Sequence, residues 1–129
     1  MSPLAEVVYD ILRRRTLLDD PRITYAELAE LARDAGDDFG WVHHRNPQFY
    51  RALAEIGNCC RLMGMPPLPA LVVRADTRRP GDAYYDDKCR GGQTRGERIA
   101  AWREDFEAVR RATYPSRGTG TPPVPRDGR

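Results

Sequence analysis

Lysine is all but missing from this sequence of 129 residues: Lys88 stands alone among 21 basic residues, and the other 20 are arginine. Positive charge is therefore carried by planar guanidinium forks that stay protonated throughout the working pH range. A GC-rich genome imposes the same bias without selection for forked recognition. Cysteine is scarce as well. Cys59, Cys60 and Cys89 are odd in number and two are adjacent, which argues against a disulfide framework and points to a reducing cytoplasm. No apolar run approaches the roughly 20 residues of a membrane span. No basic segment followed by an uninterrupted apolar stretch opens the chain, so neither export nor a membrane partner is expected. Internal repeats are absent.

What is present fits one domain. A chain of this length buries about two-thirds of its unfolded surface, and 40% hydrophobic with 31% charged residues describes a slightly polar globule. The net charge of +2 conceals a separation. Residues 1–40 carry five Arg against nine Asp and Glu, a balance of −4, and residues 41–80 carry six Arg against Glu55 and Asp76, a balance of +4.

Leu4, Val7, Val8, Ile11 and Leu12 recur at helical spacing, so residues 3–15 read as an amphipathic helix with Pro3 in its first turn. Ile23-Thr24-Tyr25 is a short extended approach to a second helix over about 25–34, with Leu28 and Leu31 inward. Thr24 and Glu27 form its T-x-x-E capping box. After a loop over 34–40, Asn46 as cap and Pro47 as first residue predict a third helix running to about Met63. Phe49, Leu53, Ile56, Cys60 and Met63 face its core side, and Gln48, Arg51, Glu55 and Asn58 the other. Residues 68–73 read as a strand, 76–82 as a turn and Ala83-Tyr84-Tyr85 as the returning strand. Residues 87–96 read as loop. A final helix is expected over 97–112, with Ile99, Trp102, Phe106 and Val109 inward. The fold class expected is α+β: a winged helix-turn-helix-like core of three helices and a small β-hairpin, with an added C-terminal helix. This domain covers 1–114, and the Pro/Gly/Arg-rich residues 115–129 form a disordered tail.

Ile23-Thr24-Tyr25-Ala26-Glu27-Leu28-Ala29 resembles the entry into the winged-helix domain of alkylguanine-DNA alkyltransferases and alkyltransferase-like proteins. Their Pro-Cys-His-Arg active-site run is absent, so alkyl transfer is not expected. The chain from 7 to about 112 is also similar to a family of small domains of bacteria and phages. The resemblance rests on that same start, on Ile56-Gly57-Asn58-Cys59-Cys60, on Pro66-Pro67-Leu68-Pro69-Ala70-Leu71-Val72-Val73, and on Pro80-Gly81 followed by Tyr84-Tyr85. Such domains stand alone or beside HNH-type nucleases and other mobile-element genes. The resemblance implies an accessory or recognition domain and supplies no catalytic residue.

Several clusters carry chemistry by residue type alone. His43, His44, Cys59, Cys60 and Cys89 are zinc-ligand types, but adjacent helical cysteines point about 100° apart and make a poor pair. Cys89 lies between Lys88 and Arg90, which would lower a thiol pKa, yet no histidine is brought to it. Asp82, Asp86, Asp87 and Glu97 are oxygen ligands in what reads as a solvated loop. No metal, cofactor or catalytic residue is therefore assigned. Arg45, Gln48, Arg51 and Asn58 on the third helix, with Arg78 and Arg79 on the turn, are the candidate nucleic-acid contacts, because a recognition helix presents its N-terminal turns to base edges and a wing reaches phosphates. The expected partner is duplex DNA, and the expected role a non-enzymatic accessory or regulatory domain of a phage, mobile element or defence locus. The alternative is a protein-interaction module that inhibits or adapts a host or phage enzyme through the acidic first 40 residues.

Overall fold

A computed structural model describes residues 1–82, 84 and 94–116. Ser2 begins the first helix, α1 (Pro3–Arg15), by accepting the Ala5 N–H at 3.2 Å. Its inward face is Leu4, Ala5, Val8, Tyr9 and Leu12, all buried, with Val7 and Ile11 half-buried at the margin. Strand β1 (Ile23–Thr24) leads directly into α2 (Tyr25–Asp34). The expected capping box is formed there: Thr24 Oγ1 accepts the Glu27 N–H at 3.1 Å, and Glu27 Oε1 accepts the Thr24 N–H at 3.0 Å. The inward face of α2 is Leu28, Ala29 and Ala32, whereas Leu31 is 43% exposed and not inward as its spacing suggested. The two small residues define the contact, and Leu31 falls outside the stripe they share with Leu28.

A single 3-10 turn (Asp37–Phe39) and buried Val42 carry the chain to α3 (Pro47–Leu62). Pro47 opens this helix as expected, but the Asn46 side chain makes no cap. Its Nδ2 donates to the Trp41 carbonyl at 2.9 Å instead, closing the loop rather than the helix. At the far end Gly64 has φ +70. Its N–H donates to Arg61 O at 3.0 Å and the Met65 N–H to Cys60 O at 2.8 Å, the paired bonds of a Schellman stop.

The strand expected over 68–73 shrinks to two residues. Leu68–Leu71 is a 3-10 turn, because Pro69 has no N–H to give a ladder, and only Val72–Val73 forms β2. Its partner also differs. β2 pairs parallel with β1, Ile23 opposite Val72 and Thr24 opposite Val73, and the α2–α3 segment is the long crossover such pairing requires. In the expected hairpin return, Tyr84 is helical and its N–H donates to Gly81 O at 3.2 Å, while Ala83 and Tyr85 lie outside the described residues.

The last helix, α4 (Arg95–Arg111), starts two residues earlier than expected. Thr94 and Glu97 form a second T-x-x-E capping box, which places the start at Arg95. Trp102 and Val109 are buried, Ile99 and Phe106 half-buried, and the Trp102 and Phe106 rings lie 5.6 Å apart. The described architecture is thus a small, mostly helical α+β fold of four α-helices and a two-residue parallel pair. Among the described residues no helix is long and apolar enough to cross a membrane.

The C-terminal segment is fixed by polar tips on aromatic side chains. Trp102 Nε1 donates to Ala70 O at 2.8 Å in the core, Tyr114 Oη to Pro66 O at 2.5 Å, and Tyr9 Oη to Pro115 O at 2.7 Å. Arg13 adds a bond to Ser116 Oγ at 3.2 Å. The ordered contacts therefore extend two residues past Tyr114; the rest of the expected tail, 117–129, lies outside the described residues.

Two substitutions probe this arrangement. Trp102→Phe keeps a buried ring but leaves the Ala70 carbonyl unsatisfied, and should cost about 1–3 kcal/mol in denaturant unfolding. Gly64→Ala meets open space yet forces a Cβ into the left-handed region, and should cost about 1 kcal/mol.

Candidate nucleic-acid interface

The positions 48, 51, 55 and 58 lie on one stripe of α3, as three- and four-residue steps require. Gln48, Arg51 and Asn58 are exposed, but Glu55 is half-buried. The Glu55 carboxylate accepts the Ser2 N–H at 2.9 Å, tying the middle of α3 to the start of α1. That backbone bond, aided by the N-terminal ammonium, holds the Glu55 pKa below its ordinary value. Gln48, Arg51 and Glu55 line a groove of about 380 Å³ whose other wall is Pro3, Leu4, Phe39 and Trp41. Trp41 is 49% exposed over it. Asn58 lies further along the stripe, where its side-chain oxygen accepts a hydrogen bond from Arg61.

Arg45 stands one residue before the cap of α3 and is exposed. Its N–H donates to His43 Nδ1 at 3.1 Å, and the His43 and His44 rings stack with centroids 4.4 Å apart. Burial, then the charges of His43, Arg45 and Arg33, lower the His44 pKa. His44 lines a second groove of about 570 Å³ with Tyr25, Tyr50, Arg74 and Asp76. Among the described residues no three of His, Cys, Asp or Glu are grouped so as to hold a metal ion; Cys89, Asp86 and Asp87 lie outside them.

Arg78 and Arg79 occupy a tight turn after β2. The Arg74 N–H donates to Arg79 O at 2.8 Å and the Arg78 N–H to Arg74 O at 2.9 Å. Asp76 sits inside, accepting the Thr77 N–H at 2.8 Å and holding the Arg74 guanidinium through both oxygens at 3.0 Å. Arg78 takes a positive φ of 58 and its guanidinium lies 3.9 Å from Asp20. The end of the turn is fixed to α2 by the Gly81 N–H, which donates to Tyr25 Oη at 2.9 Å.

The six sequence-derived contacts are therefore divided. Gln48 and Arg51 share the α3 groove, Arg79 lines a cleft against α4, and Arg45, Asn58 and Arg78 are exposed residues outside both linings. Sequence reading missed Arg74, Arg95 and Arg98, which line the Arg79 cleft. The second T-x-x-E box was the available signal, since it sets Arg95 and Arg98 in the first turn of α4. Comparison of the chain with protein-family models, with curated proteins and with solved structures finds no match.

The electrostatics predict an acid-sensitive fold. Glu27 and Glu97 are lowered chiefly by the N–H groups of Thr24 and Thr94, Glu55 by that of Ser2, and Asp20 to about 2 by the Arg22 guanidinium. Each folded pKa lies below its unfolded value. Their stabilisation is complete above the unfolded carboxylate range of about 4 and is lost as pH falls through the folded values. The melting temperature should begin to ease below about pH 6.5, where His44 takes up a proton more readily in the unfolded chain, and fall progressively from about pH 4.5 toward 2. Glu55→Gln should shallow that decline and lower stability at pH 7 by about 1 kcal/mol, the lost charge-assisted bond being partly screened by water.

Proposed function

We propose that this chain is a non-enzymatic accessory or regulatory domain that binds duplex DNA, with α2 and α3 as a helix-turn-helix-like pair and the 74–82 turn as the wing of a winged-helix-like unit. The observation that carries the reading is the state of the arginines at the start of α3. The Arg45 and Arg51 guanidinium groups make no hydrogen bond or ion pair among the described residues, in a chain with 19 acidic side chains. Glu55 stands one turn beyond Arg51, at the spacing that favours a helical ion pair, and gives its carboxylate to Ser2 instead. Two forked cations and the Gln48 amide are left facing solvent on the helix end whose backbone amides favour phosphate. Arg78 and Arg79 supply the flanking positive charge, which suits backbone contacts that set register without reading sequence. A cytoplasmic setting and a phage, mobile-element or defence origin accompany this reading.

The logarithm of the association constant for duplex DNA should fall linearly with the logarithm of salt concentration, with a slope of about −0.9 for each phosphate engaged. Arg51→Glu combined with Arg78→Glu should abolish binding, measured by fluorescence anisotropy, with the circular dichroism spectrum unchanged. Because Arg78→Glu also faces Asp20, Arg51→Glu with Arg78→Gly serves as the second variant; glycine suits the positive φ there. Binding that is absent at low ionic strength, or insensitive to salt and to both variants, refutes the proposal. One observation favours the protein-interaction alternative, namely the half-exposed Trp41 over an apolar groove. Stoichiometric capture of a host or phage enzyme with no DNA retained after nuclease treatment is its expected signature.

A further inference from the structure

Four arginines from two elements line one cleft. Arg74 and Arg79 come from the turn after β2, and Arg95 and Arg98 from the first turn of α4. Asp82 is the carboxylate among the described lining residues, and Pro80 and Ile99 provide apolar wall. The cavity of about 410 Å³ falls within the range of small-ligand sites.

The arginines are not equally engaged. Arg74 is held by both oxygens of Asp76, whereas the Arg79 and Arg95 guanidinium groups make no hydrogen bond or ion pair among the described residues. Glu97, in the same first turn as Arg95, is folded back on the Thr94 N–H at 2.7 Å and serves the helix cap. Arg79 and Arg95 are thus two uncommitted guanidinium groups facing one described carboxylate, Asp82, and their mutual repulsion is relieved by an anion brought between them. Planar forks match the oxygens of a phosphoryl group, and the positive end of the α4 dipole adds to the field.

We propose that this cleft is a phosphate-binding site, taking the phosphoryl oxygens of a free nucleotide or of a nucleic-acid strand. It shares no lining residue with the α3 groove, so it stands whether or not α3 meets DNA. Arg79 and Arg95 are the principal ligands. Arg74, fixed by Asp76, is a preset third donor.

The test uses inorganic pyrophosphate as probe in titration calorimetry at low ionic strength, with a short labelled duplex measured in parallel. R79A/R95A should weaken pyrophosphate binding by about tenfold or more, the effect of removing two charge-assisted contacts. Its thermal midpoint should stay unchanged, since neither side chain holds a structural bond. Arg110→Ala, a residue paired with Glu107 at the other end of α4, should leave binding as in the parent. Loss of pyrophosphate binding with duplex affinity intact assigns the cleft to a free phosphorylated ligand. Loss of both, with R95A alone also weakening the duplex, assigns it to a strand. No pyrophosphate binding by the parent protein, or equal binding by R79A/R95A, overturns the proposal whatever the duplex does. Failure of the α3 reading is seen separately, in duplex binding that Arg51→Glu does not change.

Discussion

The buried hydrogen bond from Trp102 Nε1 to the Ala70 carbonyl is the constraint on which the rest of this structure hangs. Ala70 lies in the 3-10 turn that Pro69 helps impose, so its carbonyl points away from any strand ladder and needs a partner in the core. The indole supplies it and seats α4 on that turn. Seating α4 sets where Arg95 and Arg98 stand relative to the 74–82 turn. A helix that reads in sequence as an appendage is thereby the second wall of the basic cleft.

A division of labour among charged side chains follows from the hydrogen-bond pattern. Several acidic residues are committed to specific bonds: Glu27 and Glu97 close capping boxes, Glu55 ties α3 to α1, Asp76 shapes the turn and Asp20 pairs with Arg22. Carboxylates used in this way are withdrawn from neutralising distant arginines. Among the described residues, Arg45 and Arg51 at α3, Arg79 and Arg95 at the cleft, and Arg103 and Arg111 further along α4 are left uncommitted.

Helices were legible because their signals are local. Pro3, the Thr24/Glu27 box and Gly64 mark boundaries by chemistry acting within a few residues, and the apolar faces of α1 and α3 follow directly from spacing. Misplaced features depended on distant partners. Val72-Val73 was recognisable as extended, but its pairing with Ile23-Thr24 rests on how α2 and α3 pack, so an adjacent return strand was the natural expectation. Asn46 has cap chemistry and spends it on Trp41. At the interface, Gln48 and Arg51 shared a face as helical spacing required. Arg79 and Arg95 could not be joined by inspection, because the contact between the turn and α4 is tertiary and no short motif encodes it.

The bond from Tyr9 to Pro115 spans 106 positions of sequence. In terms of assembly, α1 precedes the other described elements and is completed last. Its inward face can collapse onto α2 and α3 early through contacts of moderate separation, but the Tyr9 hydroxyl waits for nearly the whole described chain to be synthesised and for α4 to dock. Closing so long a loop is entropically slow compared with the local helical events. The ordered C-terminal residues thus act as a latch that distinguishes the finished molecule from its nascent intermediates.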